Sequence, residues 1–510
     1  MNRARRKRAV PAQIARIARR TDSWHGSMER MTRSPKTQQS PTARTPLRFR
    51  RDGSFRILQM ADIQDGPNVK PDTIRMIEAA IKAADPDLIV FTGDQIRGYD
   101  PAYIDTFLRR RGENPGAKVR LVTEVEAKLQ GIKRRIAARR NPDLPPSEDV
   151  VTLDDLLDDT RQKVRDTFSA FLSPAIKAGV PFAATYGNHD FQCGILADEQ
   201  DDIYREYPGC MNPAPGTSEL AIEPGTFALP IESSDGSGRV AMSVTLVNSG
   251  DYAGKPEEND AQYPRYVANS RGLDLADSDG YGTPSDKAVA WLGDVQRSLA
   301  TRNGDGKPVP TIAFQHIPPQ EFYDCLKEVP AWTPNAVEGA RNYAGHCYVL
   351  NHEVCRPGSR LGEAIGCADD NVGEVDAMRR AGGYFALFCG HDHKNSFVGH
   401  VDGIDLGYAP TCGFECYGPK SRYRGVRLFE FREDAPQLYV TRMLTWGELV
   451  GRYSGNELRV FFEDHCVTGA VSLRNELRRP QVFAGVAIGT TAAFAAIVHA
   501  AVRQVRQVKR

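Results

Sequence analysis

Gly187-Asn188-His189-Asp190 and Gly390-His391-Asp392-His393 decide how this chain reads. Each closes a short apolar run. Pro181-Phe182-Ala183-Ala184-Thr185 leads into the first, and Tyr384-Phe385-Ala386-Leu387-Phe388-Cys389 into the second. Two more runs behave the same way: Phe55-Arg56-Ile57-Leu58-Gln59-Met60-Ala61 ends at Asp62-Ile63-Gln64, and Asp87-Leu88-Ile89-Val90-Phe91-Thr92 ends at Gly93-Asp94. Short apolar runs stopped by Gly and polar residues are the pattern of buried strands with loops at their tips. Polar side chains gathered on such loops, above a rigid sheet, are how an α/β protein builds a site. An isolated His316 lies between the last two clusters.

The residue types collected there suit one kind of chemistry. Two metal ions about 3.5–4 Å apart need a bridging carboxylate, flanking ligands, and open positions for water and phosphate. Mixed nitrogen and oxygen donors suit Zn, Mn or Fe better than Mg or Ca, which prefer oxygen alone. Asp94 offers a bridge and Asn188 a neutral carbonyl oxygen, while His316, His391 and His393 offer nitrogens. His189 stays free to act on a phosphate. Each cluster alone reads equally well as an ordinary turn. Of the ten histidines in the chain, however, four fall in these places, and the ordered combination outweighs the separate bland readings.

In that order the motifs resemble the calcineurin-like metallophosphoesterase superfamily, whose pattern is D-x-H, G-D, G-N-H-D/E, a separate His and G-H-x-H. Phe314-Gln315-His316-Ile317-Pro318, the turn through Lys394-Asn395, and Leu406-Gly407-Tyr408 resemble its purple-acid-phosphatase-like branch. The similarity spans roughly residues 54 to 445. It implies an α/β fold, a sandwich of two mixed β-sheets flanked by helices. It also implies a metal-dependent phosphoric ester hydrolase, acting on a phosphomonoester or phosphodiester of unspecified class. Two divalent or trivalent transition-metal ions (Fe, Mn or Zn) would bind. Asp62, Gln64, Asp94 and His393 would hold the first; Asp94, Asn188, His316 and His391 would hold the second. A hydroxide held by the metals would attack phosphorus in line, and His189 would bind the phosphate or protonate the leaving oxygen.

Two departures stand out. Gln64 occupies the place of the family's usual His, and a carboxamide oxygen is a weaker donor than imidazole for a borderline transition metal. Arg97 stands where a purple centre would carry its tyrosine, and Tyr99 comes two positions late, which argues against a tyrosinate–iron centre. Gln64 also supports an alternative: a membrane-anchored phosphate-binding or scaffold protein with weakened catalysis.

At 510 residues, 41% hydrophobic and 26% charged, the chain has the make-up of a soluble globular protein. Its formal net charge of +1 hides a division. Residues 1–50 carry net +12, residues 471–510 net +6, and residues 51–470 net −17. The sequence therefore divides into a disordered basic arm (1–50), a catalytic domain (51–470) with a charged insertion near 101–159, and a basic-flanked apolar tail (471–510). The arm has too few apolar residues to offset the entropy of ordering, no apolar run that would make it a secretory signal, and no firm nucleic-acid module. From Val482 to Val502 no formal charge occurs apart from a titratable His499, about the length that crosses a hydrocarbon core. The expectation is one C-terminal transmembrane helix, with the protein at the cell membrane and its catalytic domain cytoplasmic; the alternative is a soluble cytoplasmic protein.

Helical spacing predicts helices over Pro71–Ala84, Thr160–Ala178 and Ala288–Ala300, with Gly179 as a stop. Residues 191–238 and 251–283, rich in Gly, Pro and Asp, read as long loops near the site mouth. The ten cysteines lack zinc spacing and read as reduced thiols. Cys347, Cys355 and Cys367 are the first disulfide candidates in an oxidising setting.

Overall fold

A computed structural model describes residues 46–103, 106–107, 152–253, 280–451, 453–465 and 470–488. Two mixed sheets organise them. The five-stranded sheet runs Val440–Thr445, Gly425–Arg432, Ser54–Met60, Leu88–Thr92, Phe182–Thr185. Its last three strands are parallel, so the loops that carry Asp62, Asp94 and Asn188 leave from the same edge. The eight-stranded sheet includes Val240–Leu246, Thr311–Phe314, Tyr384–Cys389 and Ile404–Tyr408 in parallel order. Phe314 is in register with Phe388 there, which brings His316 and His391 out of neighbouring strand tips.

Period-2 alternation decides which side chains face the gap between the sheets. Phe55, Ile57, Leu88, Val90, Phe429 and Phe431 from one sheet meet Met242, Val244, Ile312, Phe314 and Phe388 from the other in a shared core. The intervening residues point outward. Leu58, Met60, Ile89 and Phe91 pack on Met76, Ile77 and Ile81 of helix Pro71–Ala84 and on Phe168, Phe171 and Leu172 of helix Leu153–Ala178. Leu387 and Cys389 pack on Trp291, Leu292 and Val295 of helix Asp286–Asn303 and on Met378 of helix Glu374–Ala381. Helices thus cover the outer face of each sheet, and strands buried on both faces explain the near-continuous apolar runs.

Several sequence expectations shift. Helix Leu153–Ala178 begins before Thr160 because Thr152 and Asp155 form a reciprocal capping box. Residues 153–159 are therefore helical and continuous with the rest of it, while 108–151 lie outside the described residues. The stretch 191–238 is no long loop: it contains helix Ala197–Arg205 and strand Thr226–Glu232, the latter disguised by Pro230. In 251–283, Tyr252–Ala253 pairs with Gly280–Tyr281, and 254–279 lie outside the described residues.

The folded unit starts at Pro46, inside the stretch assigned to a basic arm. Leu47–Arg48 pairs with Ile231–Glu232, and Leu47 and Phe49 are buried; residues 1–45 lie outside the described residues. Helix Ala470–Arg478 packs on the domain, with Arg474 on Glu338 (2.6 and 2.7 Å) and the Asn335 N–H on the Arg478 carbonyl. Among the described residues no helix is long and apolar enough to cross a membrane, so the expected transmembrane helix and membrane location gain no support. Of the 482–502 stretch, residues 482–488 are helical with Phe483, Val486 and Ile488 exposed; residues 489–502 lie outside the described residues. The nine cysteines among the described residues, including Cys347, Cys355 and Cys367, are buried free thiols.

Candidate metal centre

The strand-tip loops hold their polar side chains in backbone conformations that L residues resist. Asp62 (φ 53°), Gln64 (φ 40°), Asp94 (φ 53°) and His391 (φ 74°) are left-handed, and they make up half of the eight such non-glycine positions among the described residues. Conformations of this kind cost on the order of 1–3 kcal/mol each and persist only where the surroundings hold them. Here the loops hold one another. The Gln64 N–H donates to the Asp94 carbonyl (2.9 Å), the Thr411 hydroxyl to the Asp62 carbonyl (2.6 Å), and the His391 N–H to Asp62 Oδ2 (3.0 Å).

Asp190 does most of the fastening. Its carboxylate accepts the backbone N–H groups of Asp94 (2.7 Å), Ile96 (3.0 Å) and Gly187 (2.8 Å), so one fully buried side chain ties two ligand loops together. The loops approach so closely that side chains are excluded: a Cβ on Gly93 (φ +89°) would lie 2.5 Å from His316 Nδ1, and one on Gly187 would overlap Asp94 Oδ1.

Asp94 is the common member of two clusters. Ligand atoms of Asp94, His316 and His391 lie within 4.8 Å of one another, as do those of Asp62, Asp94 and His393. His316 Nε2 is 3.2 Å from Asp94 Oδ2, from Asn188 Oδ1 and from His391 Nδ1. His393 Nε2 is 3.3 Å from Asp62 Oδ1. Neighbours orient each donor. His316 Nδ1–H donates to the Thr92 carbonyl (2.8 Å) and His393 Nδ1–H to the Tyr417 carbonyl (2.6 Å), which turns both Nε2 atoms inward. The Asn188 Nδ2–H donates to the Tyr252 hydroxyl (2.8 Å), leaving Oδ1 for the cluster. Gln64 lies in the same place but gives its Nε2–H to Asp94 Oδ2 (2.8 Å), with Oε1 3.5 Å from the Tyr99 hydroxyl.

His189 sits at the rim. Its backbone N–H donates to Asp94 Oδ1 (2.8 Å), its Nδ1 pairs with Gln192 Oε1 (2.7 Å), and its Nε2 is 4.0 Å from Asp94 Oδ2.

Charge follows from this crowding. Burial alone would raise the Asp94 carboxyl, but His316 and His189 outweigh it and hold Asp94 well below the usual range. Burial opposes a charge on His316 as well, yet Asp94 and Asp62 push its pKa up to about 9. His391 is driven down by burial and by His316 beside it. Asp190 is raised to about 7, by burial first and then by Asp94.

The donor set fits two cations. Asp62, Asp94, Asn188, His316, His391 and His393 are all buried, and Asp62 Oδ1 accepts no hydrogen bond, its polar neighbour being the candidate ligand His393 Nε2 at 3.3 Å. A buried carboxylate oxygen without a hydrogen bond is costly unless a positive charge satisfies it. The ends of apolar runs mark Asp62, Asp94, Asn188, His391 and His393 in the sequence, and the family resemblance adds His316. Sequence reading gave no role to Asp190, although that residue stands inside Gly187-Asn188-His189-Asp190. Tyr252 and Tyr417 left no sequence signal, since each acts through one atom brought in from a distant loop.

Two relatives in Arabidopsis thaliana bear the names "Probable inactive purple acid phosphatase 29" and "Probable inactive purple acid phosphatase 28". They are 23% identical over 413 residues and 22% identical over 402. The matches cover 76% of this chain in both cases, and 78% and 77% of the relatives. A dimetal phosphatase from Danio rerio aligns over 76% of this chain and 98% of its own, with 13% identity and a TM-score of 0.36, too low to carry an argument. The model of the family described as calcineurin-like phosphoesterase matches residues 55–395. This chain belongs to the calcineurin-like phosphoesterase family.

Proposed function

We propose that this protein is a metal-dependent phosphoric ester hydrolase with a two-ion centre. One ion would lie among Asp62, Asp94 and His393, with Gln64 beside it; the other among Asp94, Asn188, His316 and His391. The observation that carries the reading is the pair of buried ligand clusters that share Asp94. Bound transition-metal ions would supply Lewis acidity toward the phosphoryl oxygens and acidify a water.

The chain's own residues do the rest. The Thr92 and Tyr417 carbonyls fix two imidazole tautomers, Tyr252 fixes the Asn188 carboxamide, and Asp190 locks the loops that bear Asp94 and Asn188. With Nδ1–H donating to Gln192 Oε1, the imidazolium form of His189 can present a proton at Nε2 to the leaving oxygen.

Gln64 favours a second reading, a phosphate-binding protein with weakened catalysis. An amide N–H on Asp94 Oδ2 occupies a carboxylate oxygen that the first ion would need, and the two relatives have "inactive" in their names.

Asp94→Asn should abolish turnover of p-nitrophenyl phosphate and sharply lower the metal content of protein purified without chelator. Near-native values for both would remove the shared-ligand reading. Gln64→His should raise occupancy of the Asp62–Asp94–His393 cluster at limiting zinc, because imidazole is the better donor; an unchanged zinc isotherm would place Gln64 away from the ion. His189→Ala should lower kcat by about 10²–10⁴-fold with metal content intact, and less for a nitrophenyl ester than for an alkyl ester whose leaving oxygen needs a proton. Loss of metal in this variant would make His189 a ligand and refute the role given to it.

A further inference from the structure

Tyr417 joins the metal centre to a second feature. Its ring stacks on His393, with centroids 4.1 Å apart and planes 13° from parallel, and its carbonyl accepts the His393 Nδ1–H. The same tyrosine lines a shallow cavity, widely open to solvent, of about 470 Å³ together with Asn456, Leu458, Arg459, Phe462 and Glu463. That volume lies in the range of about 300–1,000 Å³ that small-molecule sites occupy.

The cavity has an apolar wall and neutralised charges. Leu458 and Phe462 stand one turn apart on helix Glu457–Asp464, which buries Val460 and Asp464 against the domain. The two side chains are left 69% and 65% exposed, an arrangement that water disfavours and that commonly marks a binding surface. Arg459 is no free anion trap. Its Nε donates to Glu463 Oε1 (2.6 Å) and its NH2 to the Glu415 carbonyl (2.7 Å), with Glu415 Oε1 3.0 Å away. Those bonds tie the helix to the loop that holds Tyr417. Recognition in the cavity therefore falls to its apolar surface.

Resting on the phosphoesterase reading above, we propose that this cavity seats the alcohol portion of the substrate, so that the preferred substrate is a phosphate ester with a bulky apolar leaving group. A phosphoryl group at the metal ligands places the leaving oxygen within a few ångströms of them, and the carbon skeleton beyond it must pass a wall of the centre. The Tyr417 ring, stacked on the His393 imidazole and lining the cavity, is the residue that borders both.

The test uses metal-loaded full-length protein and non-hydrolysable phosphonates, with binding read by calorimetry. Methylphosphonate reports the metal centre alone, while octylphosphonate and naphthylmethylphosphonate add a chain or a ring. The octyl or naphthylmethyl compound should bind at least about tenfold more tightly than methylphosphonate, and whichever gains more identifies chain or ring. That ratio should collapse toward one in Leu458→Ala/Phe462→Ala and persist in Phe461→Ala, which alters an exposed neighbour outside the cavity. Both altered side chains of the double variant are exposed, so a melting temperature matching the parent's would exclude misfolding as the cause of the collapse. A flat series with methylphosphonate bound would overturn the cavity assignment and leave the phosphoesterase reading standing. Absence of methylphosphonate binding would overturn both. A ratio that survives the double variant while that variant loses binding to phosphatidylcholine vesicles would assign the surface to a bilayer and also overturn the proposal.

Discussion

The Asp94 carboxylate has to sit where two sets of ligand atoms meet, and almost everything else in the site exists to keep it there. Its backbone is left-handed, its side chain is buried, and a second carboxylate, Asp62, lies in the same cluster. Like charges out of water repel strongly, and only counter-charge or hydrogen bonds make such an arrangement tolerable. The Asp190 carboxylate supplies the mechanical part by accepting three N–H groups from two loops. His316 supplies the electrostatic part, with a pKa near 9 set by the carboxylates around it. A bound cation would take over that role and compete with the His316 proton, so metal uptake and proton release are linked.

Much of this was legible in the sequence, for a physical reason. Parallel strands buried on both faces leave unbroken apolar runs, and the residues that end them must lie at one edge of the sheet. That rule brings Asp62, Asp94 and Asn188 together from one sheet and His391 and His393 from the other, while the isolated His316 takes its place in the sequence reading through the family resemblance. Helix Pro71–Ala84 was legible end to end, from Pro at its first turn to Ala84. The start of helix Leu153–Ala178 was not, because a charged first turn after a Thr cap resembles a loop until the capping box is seen. Strand Thr226–Glu232 was hidden by Pro230, and the role of Leu47 and Phe49 by the basic residues around them.

What stayed dark within the site shares one property: it depends on contacts between distant segments. Tyr252 orients Asn188 and Tyr417 orients His393 through single atoms that no local pattern announces. Gln64 was conspicuous as a departure, but only the fold shows that its amide points a donor at Asp94. On the proposed two-ion reading the two halves would be unequal. The His316–His391 half has two imidazoles and a carboxamide around Asp94; the Asp62–His393 half has one imidazole and a hydrogen-bond donor where another ligand would stand. Ion affinities should differ accordingly, with the imidazole-rich half the tighter for a transition metal.

The shared carboxylate is tested most directly by electron paramagnetic resonance during a manganese titration of the metal-free protein. The first equivalent should give an isolated six-line Mn(II) spectrum. The second should replace it with the broadened spectrum of an exchange-coupled pair, because ions bridged by one carboxylate lie about 3.5–4 Å apart. A spectrum that stays that of isolated ions through two equivalents, or binding that stops at one, would contradict the claim that Asp94 joins two metal sites.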